Sequence, residues 1–210
     1  MKRSIFLIIE IILFSGLFTS CQKDPNINTD TNNYLKVGEV ASSGSSFKVA
    51  FYAKDSLFVG YNKVYIKVTD KSTGQAINQA TLAFHPLMDM GTSSHACPFE
   101  NPGSAINTEG YFEGVVIFSM IGTNSWSLTV DISANGKSET ALIPIGKVIA
   151  TVPVKKIVVI DSLKTGADTW VITKYPISLV EPAAWTVGNN PFEITVHTMA
   201  SMMSFPCCTD

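Results

Sequence analysis

From residue 34 onward, apolar and polar side chains alternate in short runs that are separated by turn residues. This period of two places alternate side chains on opposite faces of a strand. Asn135-Gly136 is a strong hairpin signal between two of the runs. No segment after the first 20 residues has a helical period, so about seven short strands at this spacing predict an all-β sandwich. The clearest runs cover residues 47–52, 64–68, 80–84, 111–119, 126–132 and 139–144.

A ten-residue segment recurs later in the chain. Residues 59–68 align with residues 187–196 at an offset of 128 (187 minus 59), with Val, Gly, Asn, Ile and Val at matching positions. We therefore expect one sandwich over residues 34–146 and a linker strand with an incomplete second sandwich over 147–210. Such a half-copy exposes a strand edge and an apolar face. A truncated reading frame is the favoured explanation. A half-domain packed on the first sandwich and completion by a partner strand are the alternatives.

The first residues have the pattern of an export signal. Lys2-Arg3 precedes an apolar run over residues 5–18, which Glu10 interrupts. Residues 17–21 resemble a bacterial lipobox, in which Cys21 is lipidated and becomes the first mature residue. This predicts a signal peptide over 1–20, a polar tether over 21–33 and a membrane anchor at Cys21, as in an outer-membrane lipoprotein facing the periplasm or the surface. An uncleaved anchor helix is the alternative, but the run is shorter than the roughly 20 residues that span a bilayer.

Composition narrows the range of partners. The chain has a net charge of −2 and 46% hydrophobic residues, which is enough for a packed core. Its only arginine is Arg3, in the leader. Arginine is the preferred residue for bidentate contacts with phosphates and base edges. The sequence therefore argues against a nucleic-acid partner.

Soft metal ligands are concentrated in one short stretch, in a loop expected after the strand at residues 80–84. If this loop is extended, Met88 and Met90 project to the same side, because alternate residues share a face. Thioether and thiolate favour Cu(I), and imidazole accepts copper in either oxidation state. Zinc is an alternative for the imidazoles and the thiol, although the spacing matches no standard finger. Each residue can also be explained by packing alone, because methionine fills gaps in cores. The candidate ligands are His85, Met88, Met90, His95 and Cys97.

The same region contains a set of residues with a recognisable pattern: Met88-Asp89-Met90-Gly91, His95, Asn101-Pro102, Tyr111 and Trp126. In these residues it resembles the YtkA-like domain, a copper-associated, immunoglobulin-like β-sandwich of exported bacterial proteins. The resemblance covers roughly residues 62–132. It implies an immunoglobulin-like fold and copper, and the soft ligand types favour Cu(I) over Cu(II).

A second cluster of soft ligands lies near the C-terminus, at His197, Met199, Met202 and Met203. Because the repeat places His197 upstream of the position of the first Met-x-Met motif, this cluster is a different site, a contact between the domains, or a Met-rich rim. No catalytic motif is present. We expect a non-enzymatic lipoprotein that binds copper and hands it to an envelope protein. The alternative is a surface module that binds protein or glycan without a metal.

Overall fold

The structure is a computed structural model, and it describes residues 33–150, 158–165, 169–181 and 186–206. The expected signal peptide, Cys21 and nearly all of the tether lie outside these residues. The described residues form strands and no helix, which confirms the all-β prediction. The strands are β1 (Leu35–Ala41), β2 (Phe47–Ala53), β3 (Gly60–Asp70), β4 (Thr81–Asp89), β5 (Ser94–Ala96), β6 (Phe99–Glu100), β7 (Phe112–Phe118), β8 (Gly122–Ala134), β9 (Lys137–Val148), β10 (Val158–Thr165), β11 (Thr169–Glu181) and β12 (Glu193–Val196).

Two antiparallel sheets form the first unit. One has the order β1-β2-β3-β7-β6 and the other the order β5-β4-β8-β9. The alternation in the sequence explains which side chains form the core. On β8, for example, Trp126, Leu128, Val130 and Ile132 are all buried, whereas the residues between them are partly exposed. The inward residues of both sheets form one continuous apolar cluster, as expected for stacked sheets.

A third sheet, β10-β11-β12, is formed later in the chain. Strands β11 and β12 pair in the same register as β2 and β3, with the residue numbers increased by 128. Ile177 lies opposite Val196, and Leu179 lies opposite Ile194. The matching pairs in the first unit are Val49–Val68 and Phe51–Ile66. The segment found by sequence repetition therefore also repeats its strand pairing.

The two Gly-x-Asn motifs at the start of the repeat fold alike. Asn62 accepts a hydrogen bond from the backbone N–H of Phe58 at 3.0 Å and donates to the carbonyls of Phe58 and Gly60 at 2.8 and 2.7 Å. Asn190 makes the same three contacts with residues four and two positions earlier, at 2.9, 2.9 and 3.1 Å. The glycine of each motif has a positive φ, 120° and 110°. Only glycine adopts this conformation readily.

The third sheet packs against the first unit through one face. Its residues Pro176, Ser178 and His197 are buried, and Val180 lines a cavity with Tyr61 on β3. On the opposite face, Ile194 remains 45% exposed. The described part of the third sheet therefore packs on the sandwich, and the three explanations for the short repeat stay predictions.

Candidate metal centre

The Met-rich segment is a β-hairpin. The sequence predicted a strand that ends at Phe84 and a loop beyond it, but β4 continues to Asp89 and pairs with β5. The turn is closed by the backbone N–H of Met90, which donates to the carbonyl of Ser93 at 2.9 Å. Gly91 completes it with a φ of 84°. The hairpin fixes which candidate ligands share a face.

Met88 and His95 lie directly opposite each other across β4 and β5. Residues opposite each other on antiparallel strands project from the same face of the sheet. Here that face is the interior, because Met88 is 8% exposed and His95 is 4% exposed. On its other side Met88 pairs with Trp126, and the rings of His95 and Trp126 meet edge to face with centroids 5.6 Å apart. Met88 therefore lies between an imidazole and an indole, and we call His95, Met88 and Trp126 the buried row.

The indole of Trp126 is held on two sides. Its Nε1–H donates to the carbonyl of Met120 at 3.1 Å, and Phe118 meets the ring at a centroid distance of 5.1 Å. Trp126 is part of the core, with 2% of its surface exposed. This rigid ring limits the movement of its neighbours Met88 and His95.

One nitrogen of His95 has no hydrogen-bond partner among the described residues. Nδ1 lies 2.8 Å from the carbonyl oxygen of Ala96. A carbonyl can only accept, so Nδ1 carries the proton and Nε2 presents a lone pair. Nε2 is buried, and no group of the described residues forms a hydrogen bond with it. Leaving such an atom unsatisfied costs about 1–3 kcal/mol. An interior imidazole nitrogen with a free lone pair is chemically suited to bind a metal ion.

Cys97 supplies a thiol next to this row. It follows β5, two positions after His95, where the chain crosses from one sheet to the other through Pro98. Its side chain is fully buried and forms no disulfide within the described residues. Burial raises the pKa of the Cys97 thiol well above its usual value, and a contact with the backbone N–H of Ile117 offsets a smaller part of this effect. The free protein therefore holds a neutral thiol here.

The other two candidates of this stretch do not join the row. His85 projects from the outer face of β4, where its Nε2 lies 2.9 Å from Oδ2 of Asp131. Met90 is 44% exposed in the turn. The expectation that Met88 and Met90 share one side is wrong, because the extended run ends at Asp89. Among the described residues, no group of three or more His, Cys, Asp and Glu side chains is placed to hold a metal.

The structure also separates the four residues of the second cluster near the C-terminus. His197 is fully buried, and neither ring nitrogen has a hydrogen-bond partner among the described residues. Burial lowers the pKa of His197. Met199 is partly buried, whereas Met202 and Met203 are 51% and 55% exposed in a turn. The four residues therefore do not form one site.

The turn of Met202 and Met203 lies against β5. The backbone N–H of Ala96 donates to the carbonyl of Met202 at 2.9 Å. Beyond this bond, a groove of about 390 Å³ separates the C-terminal segment from the outer face of β4; its walls include His85, Leu87, Phe99, Met203 and Phe205. The sequence contained no signal for this contact, since it joins segments about a hundred residues apart.

Comparison with protein-family models, with curated proteins and with solved structures gives no match. The resemblance to the YtkA-like domain thus stays a prediction. In the part of the chain that the structure describes, no helix is long and apolar enough to cross a membrane. The predicted lipid anchor at Cys21 falls outside this part.

Proposed function

We propose that the protein binds Cu(I) between its two sheets, through the thioether of Met88, Nε2 of His95 and the thiolate of Cys97. The observation that carries the proposal is Nε2 of His95, which has no hydrogen-bond partner in the part of the chain that the structure describes. It lies beside a buried thioether on the opposite strand, and a buried thiol follows two residues later. Two sulfur donors and one imidazole make a ligand set that favours Cu(I) over harder cations.

Metal binding at this position removes the free-energy cost of leaving Nε2 of His95 unsatisfied. The metal coordinates the lone pair of this nitrogen and displaces the proton of the Cys97 thiol. Burial keeps this proton in place while the site is free. Since one thiol proton leaves for each metal bound, the apparent affinity rises about tenfold per pH unit below the pKa of Cys97. The apolar surroundings, with Trp126 at one side, limit the access of water to the bound ion.

The cellular role follows from the expected leader. With a lipid at Cys21, the protein is anchored in the cell envelope and acts there as a non-enzymatic carrier that passes copper to an envelope protein by exchange of soft ligands. A Cys21→Ala variant tests the anchor, and it is expected to leave the membrane fraction. Full retention of this variant in the membrane argues against lipidation.

The experiment that tests the site is an anaerobic Cu(I) titration in competition with a chromophoric chelator. Met88→Leu and His95→Gln are each expected to weaken the tightest binding event, because each removes one donor from the row. Met120→Leu is the matched control, since Met120 is a partly exposed methionine outside the row. Wild-type protein that fails to compete at micromolar concentration, or a Met88→Leu variant that binds as tightly as the control, contradicts the proposal.

A surface interaction module is the second candidate, and one observation favours it. Val187, Phe192 and Ile194 are 107%, 69% and 45% exposed, and all three belong to the repeated segment around β12. Large apolar side chains exposed together are a feature of interaction surfaces. If this candidate is right, Phe192→Asp abolishes binding of an envelope partner, whereas the metal-site variants leave that binding unchanged.

A further inference from the structure

His85 is oriented in the way that metal-binding imidazoles commonly are. Its Nε2 lies 2.9 Å from Oδ2 of Asp131, on the neighbouring strand β8. A carboxylate can only accept, so Nε2 carries the proton and Nδ1 presents its lone pair. A carboxylate that fixes the tautomer and the ring orientation is the usual partner of a metal-bound histidine. Half of the His85 side chain is exposed, so Nδ1 can be reached from solvent.

Met203 lies in the wall of the same groove, although it is 118 residues further along the chain (203 minus 85). The turn that carries it is closed by a hydrogen bond between the backbone N–H of Ser204 and the carbonyl of Ser201, at 3.2 Å. The bond from Ala96 to Met202 attaches this turn to β5. Met203 is 55% exposed, so its thioether is accessible in the groove.

We propose that this groove is a second, surface site for Cu(I), in which Nδ1 of His85 and the thioether of Met203 bind the ion and Asp131 acts as a positioning residue. One imidazole and one thioether suit a soft monovalent ion better than Ca²⁺ or Mg²⁺, which prefer oxygen ligands. The remaining walls are largely apolar, with Pro86, Leu87, Phe99 and Phe205.

The position of the groove assigns it a role. His85 projects from the outer face of β4, and Met88 projects from the inner face of the same strand three residues later. Because the groove is open to solvent and the row is buried, the groove site is where Cu(I) first binds before it reaches the row. This role rests on the proposed function, whereas the groove has donors of its own and can be tested separately.

NMR spectra of methyl-labelled methionine distinguish the two proposed sites in one experiment. The full chain, in a mild detergent, is labelled with ¹³C at the methionine methyl groups, and Cu(I) is added without oxygen. The Met203 methyl signal is expected to shift during the titration, and its shift should require His85. In a His85→Leu variant the Met203 signal should no longer respond. In Asp131→Asn the metal concentration needed for half of the shift should rise roughly 10–100-fold.

Met202→Leu is the matched control, because Met202 is an equally exposed neighbour outside the groove lining, and it should leave the Met203 response unchanged. A Met203 signal that stays fixed after two equivalents of Cu(I), or that shifts equally in His85→Leu, overturns the groove site. The Met88 signal reports the buried row independently. If Met203 responds through His85 while Met88 does not respond, the groove site stands and the proposed function fails.

Discussion

The two Asn motifs allow a hydrogen-bond network to be tested twice in one molecule. Asn62 and Asn190 make the same three local contacts, but Asn62 is 5% exposed in the first unit, whereas Asn190 lies at the surface of the second. We predict that Asn62→Ala is strongly destabilising and that Asn190→Ala is not. The difference comes from water, which can replace the lost partner only at the surface.

The magnitude follows from the contacts. A net hydrogen bond contributes about 0.5–1.5 kcal/mol, and a buried group left without a partner adds to the loss. Asn62→Ala removes three hydrogen bonds of 3.0 Å or less. These bonds join the Asn62 side chain to the backbone N–H of Phe58 and to the carbonyls of Phe58 and Gly60. We expect a loss of about 2–4 kcal/mol in the free energy of unfolding of the first unit. Asn190→Ala should cost about 0.5 kcal/mol or less, as usual for surface substitutions.

Amide hydrogen exchange is the suitable assay, because it measures opening free energies segment by segment and a chain with two units need not unfold in a single step. Protection is compared in peptides from β3 and β7 for Asn62→Ala and in peptides from β12 for Asn190→Ala. Equal losses for the two variants, or a loss below about 1 kcal/mol for Asn62→Ala, would refute the reasoning, since burial would then not decide the cost of these bonds.

Three further predictions concern packing and charge. Gly114→Ala should lower the unfolding free energy by about 1–3 kcal/mol in a denaturant titration, because the added Cβ would lie 2.6 Å from the Phe84 ring. Burial lowers the pKa of His197 from 6.5, so below about pH 6.5 the unfolded chain binds a proton at this residue more readily than the folded protein does; melting temperatures should therefore fall towards pH 5, less steeply in His197→Leu. Burial, and then the charge of Glu193, raises the pKa of Glu100, so Glu193→Gln should increase β12 protection at pH 7 more than at pH 4.

Each of these predictions has a result that contradicts it. Gly103→Ala, at a glycine with open space around its Cβ position, is the control for Gly114→Ala, and equal effects of the two changes would remove the steric argument. For His197, parallel pH profiles of wild type and variant would show that another group titrates. For Glu193, a gain in protection that is the same at both pH values would exclude a charge effect.

Local patterns predicted the fold class, because alternation within a strand depends only on neighbouring residues. The runs around β2, β7 and β8 had this signal and formed strands. The hairpin at Met88 was predicted as a loop since Pro86 and the polar residues near it interrupt the apolar pattern. The structure tolerates Pro86 where β5 has not yet begun to pair with β4.

The site itself could be predicted only in part. The residue types were identified, but their division between two faces depends on where β4 ends and on the register of β5, which the sequence did not indicate. The contact between Met202 and Ala96 joins two segments that no local pattern relates. The buried row and the groove both depend on such pairings. This is why Met88, His95 and Cys97 lie inside, His85 lines the groove, and Met90 belongs to neither.

The displaced register of β11 and β12 gives the second unit an evolutionary interpretation. In the first unit the face with Lys48 and Thr69 points outward, and the face with Val49 and Val68 is covered by the other sheet. In the second unit the residues at the outward positions are Pro176, Ser178 and His197, and these are the buried ones. Duplication followed by docking through the face that points away from the sandwich core in the first unit accounts for the polar atoms of Ser178 and His197 that are buried without hydrogen-bond partners among the described residues.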